Sequence, residues 1–349
     1  MKFKNFNLKS ASIALIISTY SVLMPAPIYA QNFESGLAAY RAKEYTRALE
    51  IWRKLAQQGD APAQFNIGLM YEKGQGVPKN DAEAIRWYRM AAEQGDSEAQ
   101  TNVGYMYYKG LGVPTNFQEA ARWYGLAANQ GSVFAQFNLG HMYEKGEGVA
   151  QNYLEAARLY RLAAEQGNAE AQRELAEMYS VGQGVQKNDV EAVRWLQLAA
   201  EQGDAVAQLQ LGYMYHESND IQKNDSEALR WYLQAARQGV IEAMVNVGIM
   251  YRLGQGVQKN DVEAVRWFRL AAERGQPEAQ LHLGIALASG DGINQDIILA
   301  YMWFILSERG GNELASKNKT VAAKSMSSND IAHANRLADY CLANDFKGC

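Results

Sequence analysis

The chain has 349 residues, 48% hydrophobic and 21% charged, with a formal net charge of −4. That is the make-up of a folding globular chain, and it excludes a disordered or collagen-like one. Residues 1–30 carry Lys2, Lys4 and Lys9 and no acid, so subtracting those three charges leaves −7 for the remainder; an acidic chain without a basic run excludes nucleic acid or an anionic membrane as its main partner.

Residues 1–30 read as a secretory signal peptide. The three lysines form its charged start, and Ala11 to Met24 its apolar core. Pro25 and Pro27 are expected to break the helix before Ile28-Tyr29-Ala30, so that cleavage leaves Gln31 first. The apolar core is short and interrupted for a membrane span. The expectation is a periplasmic or secreted protein that is not membrane-embedded after cleavage.

Residues 31–60 look like a shortened capping repeat. Gly36, Leu37 and Tyr40 share one helix face, and Ala48, Ile51, Trp52 and Leu55 the next. Residues 61–311 then hold seven repeats of 36 residues, opened by Ala63, Ala99, Ala135, Ala171, Ala207, Ala243 and Ala279. A fixed period of this length marks a stacked-repeat architecture. Each unit reads as two helices. In the first, Asp60 is the expected N-cap, with Pro62 in the first turn. Ala63, Ile67, Met70 and Tyr71 mark the buried face, and Gly74 ends the helix in a left-handed conformation. Asn80 and Glu83 open the second helix in a near-capping-box pattern. Ala84, Trp87, Tyr88 and Ala91 line its inner face, and Gly95 stops it. The copies differ locally. Repeat four has Ala176 for a glycine, expected to be a mild change. Repeat three has Leu159 for a tryptophan, expected to loosen the contact. Repeat five has Ser218-Asn219-Asp220 for the glycine loop.

Residues 312–349 leave the pattern. Helices are expected over Glu313 to Lys324 and Ser328 to Ala343, the second opened by a Ser327–Asp330 capping box with Met326 and Ile331 as its hydrophobic staple. The two cysteines, Cys341 and Cys349, lie at this end. Their spacing without a nearby histidine fits neither a metal nor a redox motif. In an exported protein their parity supports a disulfide over two free thiols, one that closes a short loop and stabilises by about 2.5 kcal/mol on the chain-entropy model.

The units A-[QM]-x-x-[ILV]-[GA]-x-M-Y-x-x-G-x-G-V followed by x-E-A-x-R-W-[YF]-x-x-A-A resemble Sel1-like repeats, relatives of the tetratricopeptide repeats, from Phe33 to about Ala343. The resemblance implies an all-α fold, a right-handed α-solenoid of stacked antiparallel helix pairs with the first helix of each pair on the concave side. It also implies a non-enzymatic adaptor, exported relatives being associated with envelope regulation and host-cell contact. Cysteine-rich secreted relatives are linked to β-lactam binding or hydrolysis, so an enzyme acting on cell-wall peptides or β-lactams is the alternative. Those relatives pair cysteines within each repeat, and this chain has none there.

The residues themselves offer little chemistry. Gly74/Gly76 and their counterparts join helix to helix and never run into Gly-Lys-Ser/Thr, so they are turns rather than phosphate loops. His141, His216, His282 and His333 lie in different units, which gives no metal motif, and no cofactor is expected. Glu83, Glu119, Glu155, Glu191, Glu227 and Glu263 recur at one phase, as caps do. No G-x-S-x-G motif occurs.

The concave face remains. On the tetratricopeptide pattern, positions two, three and six after each opening alanine point into the groove. These give Phe65, Asn66 and Leu69; Asn102 and Tyr105; Phe137, Asn138 and His141; Tyr213; and Asn246. The same positions include Leu209, Val245 and Leu281. Asn66, Asn102 and Asn138 place one amide per repeat, suited to the backbone of an extended peptide whose side chains meet the neighbouring aromatics. The same asparagines could instead serve the repeat by bonding an adjacent helix. The expected partner is another protein or peptide.

Overall fold

A computed structural model describes residues 26–217, 221–346 and Cys349. The described residues form eighteen α-helices and no strand. The first is α1 (Ala26–Arg41), paired with α2 (Tyr45–Gln57). The repeats follow as α3 (Ala61–Lys73) with α4 (Asp81–Glu93), α5 (Ser97–Lys109) with α6 (Phe117–Asn129), and α7 (Val133–Lys145) with α8 (Tyr153–Glu165). Then come α9 (Ala169–Val181) with α10 (Asp189–Glu201) and α11 (Ala205–Glu217) with α12 (Asp225–Arg237). The last repeats are α13 (Ile241–Leu253) with α14 (Asp261–Ala272), and α15 (Pro277–Ser289) with α16 (Ile297–Arg309). Two closing helices, α17 (Glu313–Ala323) and α18 (Ser328–Ala343), complete the order. The chain divides into two compact units, up to Ala163 and from Ala164. Within each, helices pack on their neighbours in sequence, an all-α solenoid of stacked helix pairs.

Local chemistry sets the helix ends. Asp60 accepts from the Ala63 amide at 2.6 Å, and Asp96 and Asp204 do the same for Ala99 and Ala207 at the starts of α5 and α11. Gly74 closes α3 at φ 68°, in the left-handed region. The second loop glycine has a different duty. A Cβ on Gly112 would sit 2.4 Å from the Asp81 carbonyl oxygen, so this loop lies directly on the start of the preceding repeat's second helix, as those of Gly148, Gly256 and Gly292 do on Phe117, Asp225 and Asp261. The second helices open with a side-chain cap, Asn80 accepting from the Glu83 amide at 3.1 Å. The glutamate does not complete a box as the sequence suggested; it pairs instead with an arginine one turn on, Glu83 with Arg86 and Glu119 with Arg122.

Two devices hold the helices, one within each pair and one between pairs. First, the mid-helix glycine lets an aromatic ring rest on bare backbone. A Cβ on Gly68 would be 2.7 Å from the Tyr88 ring, on Gly104 2.8 Å from Tyr124, and on Gly248 2.5 Å from Phe268. Second, the buried glutamine after the opening alanine spans two repeats. Gln100 donates to the Ala92 carbonyl at 3.0 Å and accepts from Gln130 at 2.8 Å, and Gln64, Gln172 and Gln208 repeat the pattern. Each of these four buried glutamines is thereby satisfied, which avoids a cost of about 1–3 kcal/mol per orphaned group.

Several expectations change in detail. Pro27 lies in the first turn of α1, where its missing N–H costs little, so it opens a helix that continues through Ala30 rather than breaking one. The rest of the expected leader, residues 1–25, lies outside the described residues, as does the Ser218-Asn219-Asp220 loop. Leu159 is 2% exposed and joins the cluster of Tyr124, Leu139 and Met142, so the smaller side chain is fully buried. At the C-terminal end, Ser327 and Asp330 form the capping box, and Met326 and Ile331 pack on the same core cluster. Cys341 and Cys349 are joined as a disulfide, and Phe346 between them packs on Gly275.

The glycine–ring contact predicts a coupled mutational response. Gly104→Ala should lower stability by about 1–3 kcal/mol, because overpacking outweighs the helix-propensity gain. In a Tyr124→Leu background the same change should be neutral or stabilising. Denaturant unfolding of the four-protein cycle measures this.

Candidate functional site

The first helices bury one face and leave another partly open. On α3 the opening Ala63, Ile67 and Met70 are fully buried, and Gln64 is taken by the interrepeat bond. Phe65, Asn66 and Leu69 stay half-buried, as do Asn102 and Tyr105 on α5 and Phe137, Asn138 and His141 on α7. On α11 Tyr213 is exposed, and on α13 Asn246 is half-buried. Leu209, Val245 and Leu281, expected on the groove, are instead core residues at 8%, 3% and 4% exposure. A β-branched or leucine side chain at position two turns into the helix pair, whereas Phe65 and Phe137 are too large to be swallowed.

The aromatics rest on the second helices. Phe65 meets the Tyr88 ring at 5.4 Å, Phe137 meets Tyr160 at 5.7 Å, and Tyr213 stands edge-on to Tyr232 at 5.5 Å. Each therefore offers one ring face or edge while the other is held.

The asparagines do not act alike. Asn66 returns its amide to the Pro62 carbonyl at 2.9 Å, and Asn138 to the Phe134 carbonyl at 2.7 Å, each within its own helix. Asn102 instead hydrogen-bonds the Tyr88 hydroxyl of the preceding repeat. Asn246 Nδ2 is buried and has no partner, and the same is true of Oε1 of Gln210, its counterpart on α11.

A further position escaped the sequence reading. Nine residues after the opening alanine, one turn beyond the predicted stripe, stand Glu72, Tyr108, Glu144, Ser180, His216, Arg252 and Ala288. These are on the same face and carry much of its polarity. Tyr88 donates to Glu72 at 2.6 Å, Tyr160 to Glu144 at 2.7 Å, and Tyr108 to Glu147 at 2.8 Å. Burial and the adjacent carboxylates push the Tyr88 and Tyr108 hydroxyls well above their ordinary range, so they keep their protons near neutral pH and donate them to Glu72 and Glu147. Six residue types at seven equivalent places was the available signal. A stripe chosen by analogy to another repeat geometry stopped one turn short of it.

Arg252 lies 3.1 Å from His282 Nδ1, and the His282 ring stacks on Phe268 at 4.8 Å. Burial, then the Arg252 charge, lowers the His282 pKa from 6.5 to about 4. Burial also lowers that of His141, against the pull of Glu144 and Glu147.

One acyl-transfer spacing was also passed over in the sequence. Ser316-x-x-Lys319 lies on α17, where the Lys319 ammonium is ion-paired with Glu308. Lys319 and Ser316 both hydrogen-bond Glu308 and hold its carboxyl below the usual range. Both side chains of the spacing are thus engaged by one carboxylate. Among the described residues no three His, Cys, Asp or Glu side chains gather as a metal site, and no helix is long and apolar enough to cross a membrane.

Comparison with known proteins follows the repeat boundaries. The Sel1 repeat model matches eight consecutive segments, 30–60, 61–96, 97–132, 133–168, 169–204, 205–240, 241–276 and 277–312, and so counts the shortened first unit as a repeat. A Sel1 repeat protein from Oxalobacter formigenes is 38% identical, covers 69% of this chain and 96% of its own, and superposes with a TM-score of 0.59. A protective antigen of uropathogenic Escherichia coli strains with an SLR fold is 27% identical over 92% of this chain and 86% of its own, with a TM-score of 0.48. An immunity protein from Pseudomonas aeruginosa is 21% identical over 62% of this chain and 83% of its own, with a TM-score of 0.34. No curated protein matches in sequence.

The His282 environment predicts a pH effect on stability. Its folded pKa lies below the unfolded value, so the neutral form is the one the fold accommodates. The contribution is complete above pH 6.5 and is lost as pH falls towards 4. Over that interval the chain should lose on the order of 3 kcal/mol that His282→Asn does not lose. Parallel melts of the two proteins across the window measure the difference, and proton NMR of the His282 ring gives the midpoint.

Proposed function

Because this chain belongs to the Sel1 repeat family, we propose that it is an exported, non-catalytic scaffold that holds a protein or peptide along its first helices, in the periplasm or outside the cell. Scaffolds of this kind are typical of protein–protein interaction. The observation that carries the reading is the recurrence, at a 36-residue spacing through repeats one to three, of half-buried aromatic and amide side chains on a face the core does not consume. A partner lying there gains ring contact at Phe65 and Phe137, and hydrogen bonds from amides that otherwise fold back on their own helix. The envelope-regulation or host-contact role belongs to the same proposal, as does removal of residues 1–30.

The test uses the pair Asn66→Ala and Asn138→Ala, whose amides bond only within their own helices. Asn102 is spared because it ties two repeats together. A partner captured from envelope extract and identified by mass spectrometry should bind the double variant about tenfold more weakly, a loss of roughly 1.4 kcal/mol, with helical content and melting temperature unchanged. Undiminished binding would overturn the assignment of this face. Turnover of a chromogenic β-lactam that persists through further purification would overturn the non-catalytic part.

A further inference from the structure

Repeat four breaks the glycine–ring rule at both facing positions. Ala176 replaces the glycine, and Leu196 replaces the aromatic ring. In repeats one and three that ring carries a hydroxyl to Glu72 or Glu144 at the end of the first helix; in repeat four the acceptor's place is taken by Ser180. With ring and acceptor both gone, a cavity of about 440 Å³ opens between α9, α10 and α11. That is within the roughly 300–1,000 Å³ range of small-ligand pockets and near its lower end, so it suits one long side chain rather than a large molecule.

The lining specifies the chemistry. Ala176, Leu196 and Met214 give an apolar floor. Above it stand the carboxylates of Glu177, Asp189 and Glu217 against a single ammonium, Lys187, which lies 3.8 Å from Asp189. Gln210 belongs to the wall, and its Oε1 is buried without a hydrogen-bond partner. Tyr213 adds an exposed aromatic edge whose far side is held by Tyr232. An apolar floor, an orphaned acceptor, an aromatic and an excess of negative charge lack one thing in common, a donor-rich cation on an aliphatic stem. Arginine and lysine side chains have that form, and arginine can also lie against Tyr213. A carboxylate-bearing ligand would meet like charge.

We propose that this cavity is the specificity pocket for a basic side chain, arginine or lysine, of an extended segment of the partner protein. The inference rests on the binding role proposed above and adds where selection occurs and for what charge. It places the deciding contact in repeats four and five, whereas the aromatic and amide positions of repeats one to three hold any extended chain.

Fluorescence polarisation with short labelled peptide pools tests it. Each pool has an alanine–serine background and one fixed residue, arginine, lysine, norleucine or glutamate. The full chain should bind the arginine and lysine pools about tenfold more tightly than the norleucine pool, and the glutamate pool least. Glu177→Gln with Glu217→Gln should remove most of that preference and flatten its dependence on salt. Ala176→Gly with Leu196→Tyr restores the pairing that other repeats carry, so the fold is kept while the cavity is filled, and a melting curve checks this. That variant should bind all pools alike. Equal binding of all pools by the unaltered chain, or an unchanged preference in the filled variant, overturns the pocket and leaves peptide binding standing. Failure of every pool to bind overturns both.

Discussion

The contact between a naked stretch of first-helix backbone and an aromatic ring on the second helix sets the spacing of each pair. Gly68 against Tyr88 and Gly284 against Phe304 leave no room for a methyl group. Helices that approach so closely bury small residues along the whole seam, and Ala84, Ala91, Ala120 and Ala127 are all at 0% exposure. The ring buried there has its edge directed toward the open face, so the scaffold contact also prepares the surface that a partner would meet. Tyr88 and Tyr160 deliver their hydroxyls to Glu72 and Glu144, and Phe65 and Phe137 lie on the rings. Where the contact is abandoned, at Ala176 and Leu196, the surface opens into a cavity.

Stacking of one pair on the next rests on a different interaction. The buried glutamines convert a polar requirement into register, since a side chain that must reach both the Ala92 carbonyl and Gln130 fixes where the neighbouring repeat sits. Repeat six substitutes Met244, with the Arg274 guanidinium 3.9 Å from its sulfur, and the amide bonds are lost there. Loop glycines such as Gly112, pressed on the Asp81 carbonyl, add a second fixed point at the other end of the helices. Helix spacing and repeat register are thus held by separate groups, so a copy can change one without losing the other. Repeat four does so: it gives up the ring at Leu196 but keeps Gln172 bonded to Ala164 and Gln202.

The candidate face was less legible than the scaffold. Phe65, Asn66 and their counterparts were found because they vary against a constant background. Leu209, Val245 and Leu281 share their phase but fill the core, because what a position does depends on the size of the side chain placed there. The functional difference between Asn66, Asn102 and Asn246 was invisible in the letters. Asn66 bonds its own helix, Asn102 bonds a neighbouring tyrosine and Asn246 leaves its Nδ2 unpaired, a difference that depends on which groups packing brings near.

The 36-residue period, the caps at Asp60 and Asn80, the left-handed glycines and the closing box at Ser327 were all determined by the sequence alone. Each of these is a short-range matter of backbone sterics and hydrogen-bond partners a few residues away. Only the tertiary structure decided which residues at a shared phase face outward, which amides are left unpaired, and that Ser180 and Leu196, smaller than the acceptor and ring of other repeats, leave the same space empty. The physical reason is that cavities and orphaned polar atoms are properties of what several helices fail to supply together, and no single helix records them.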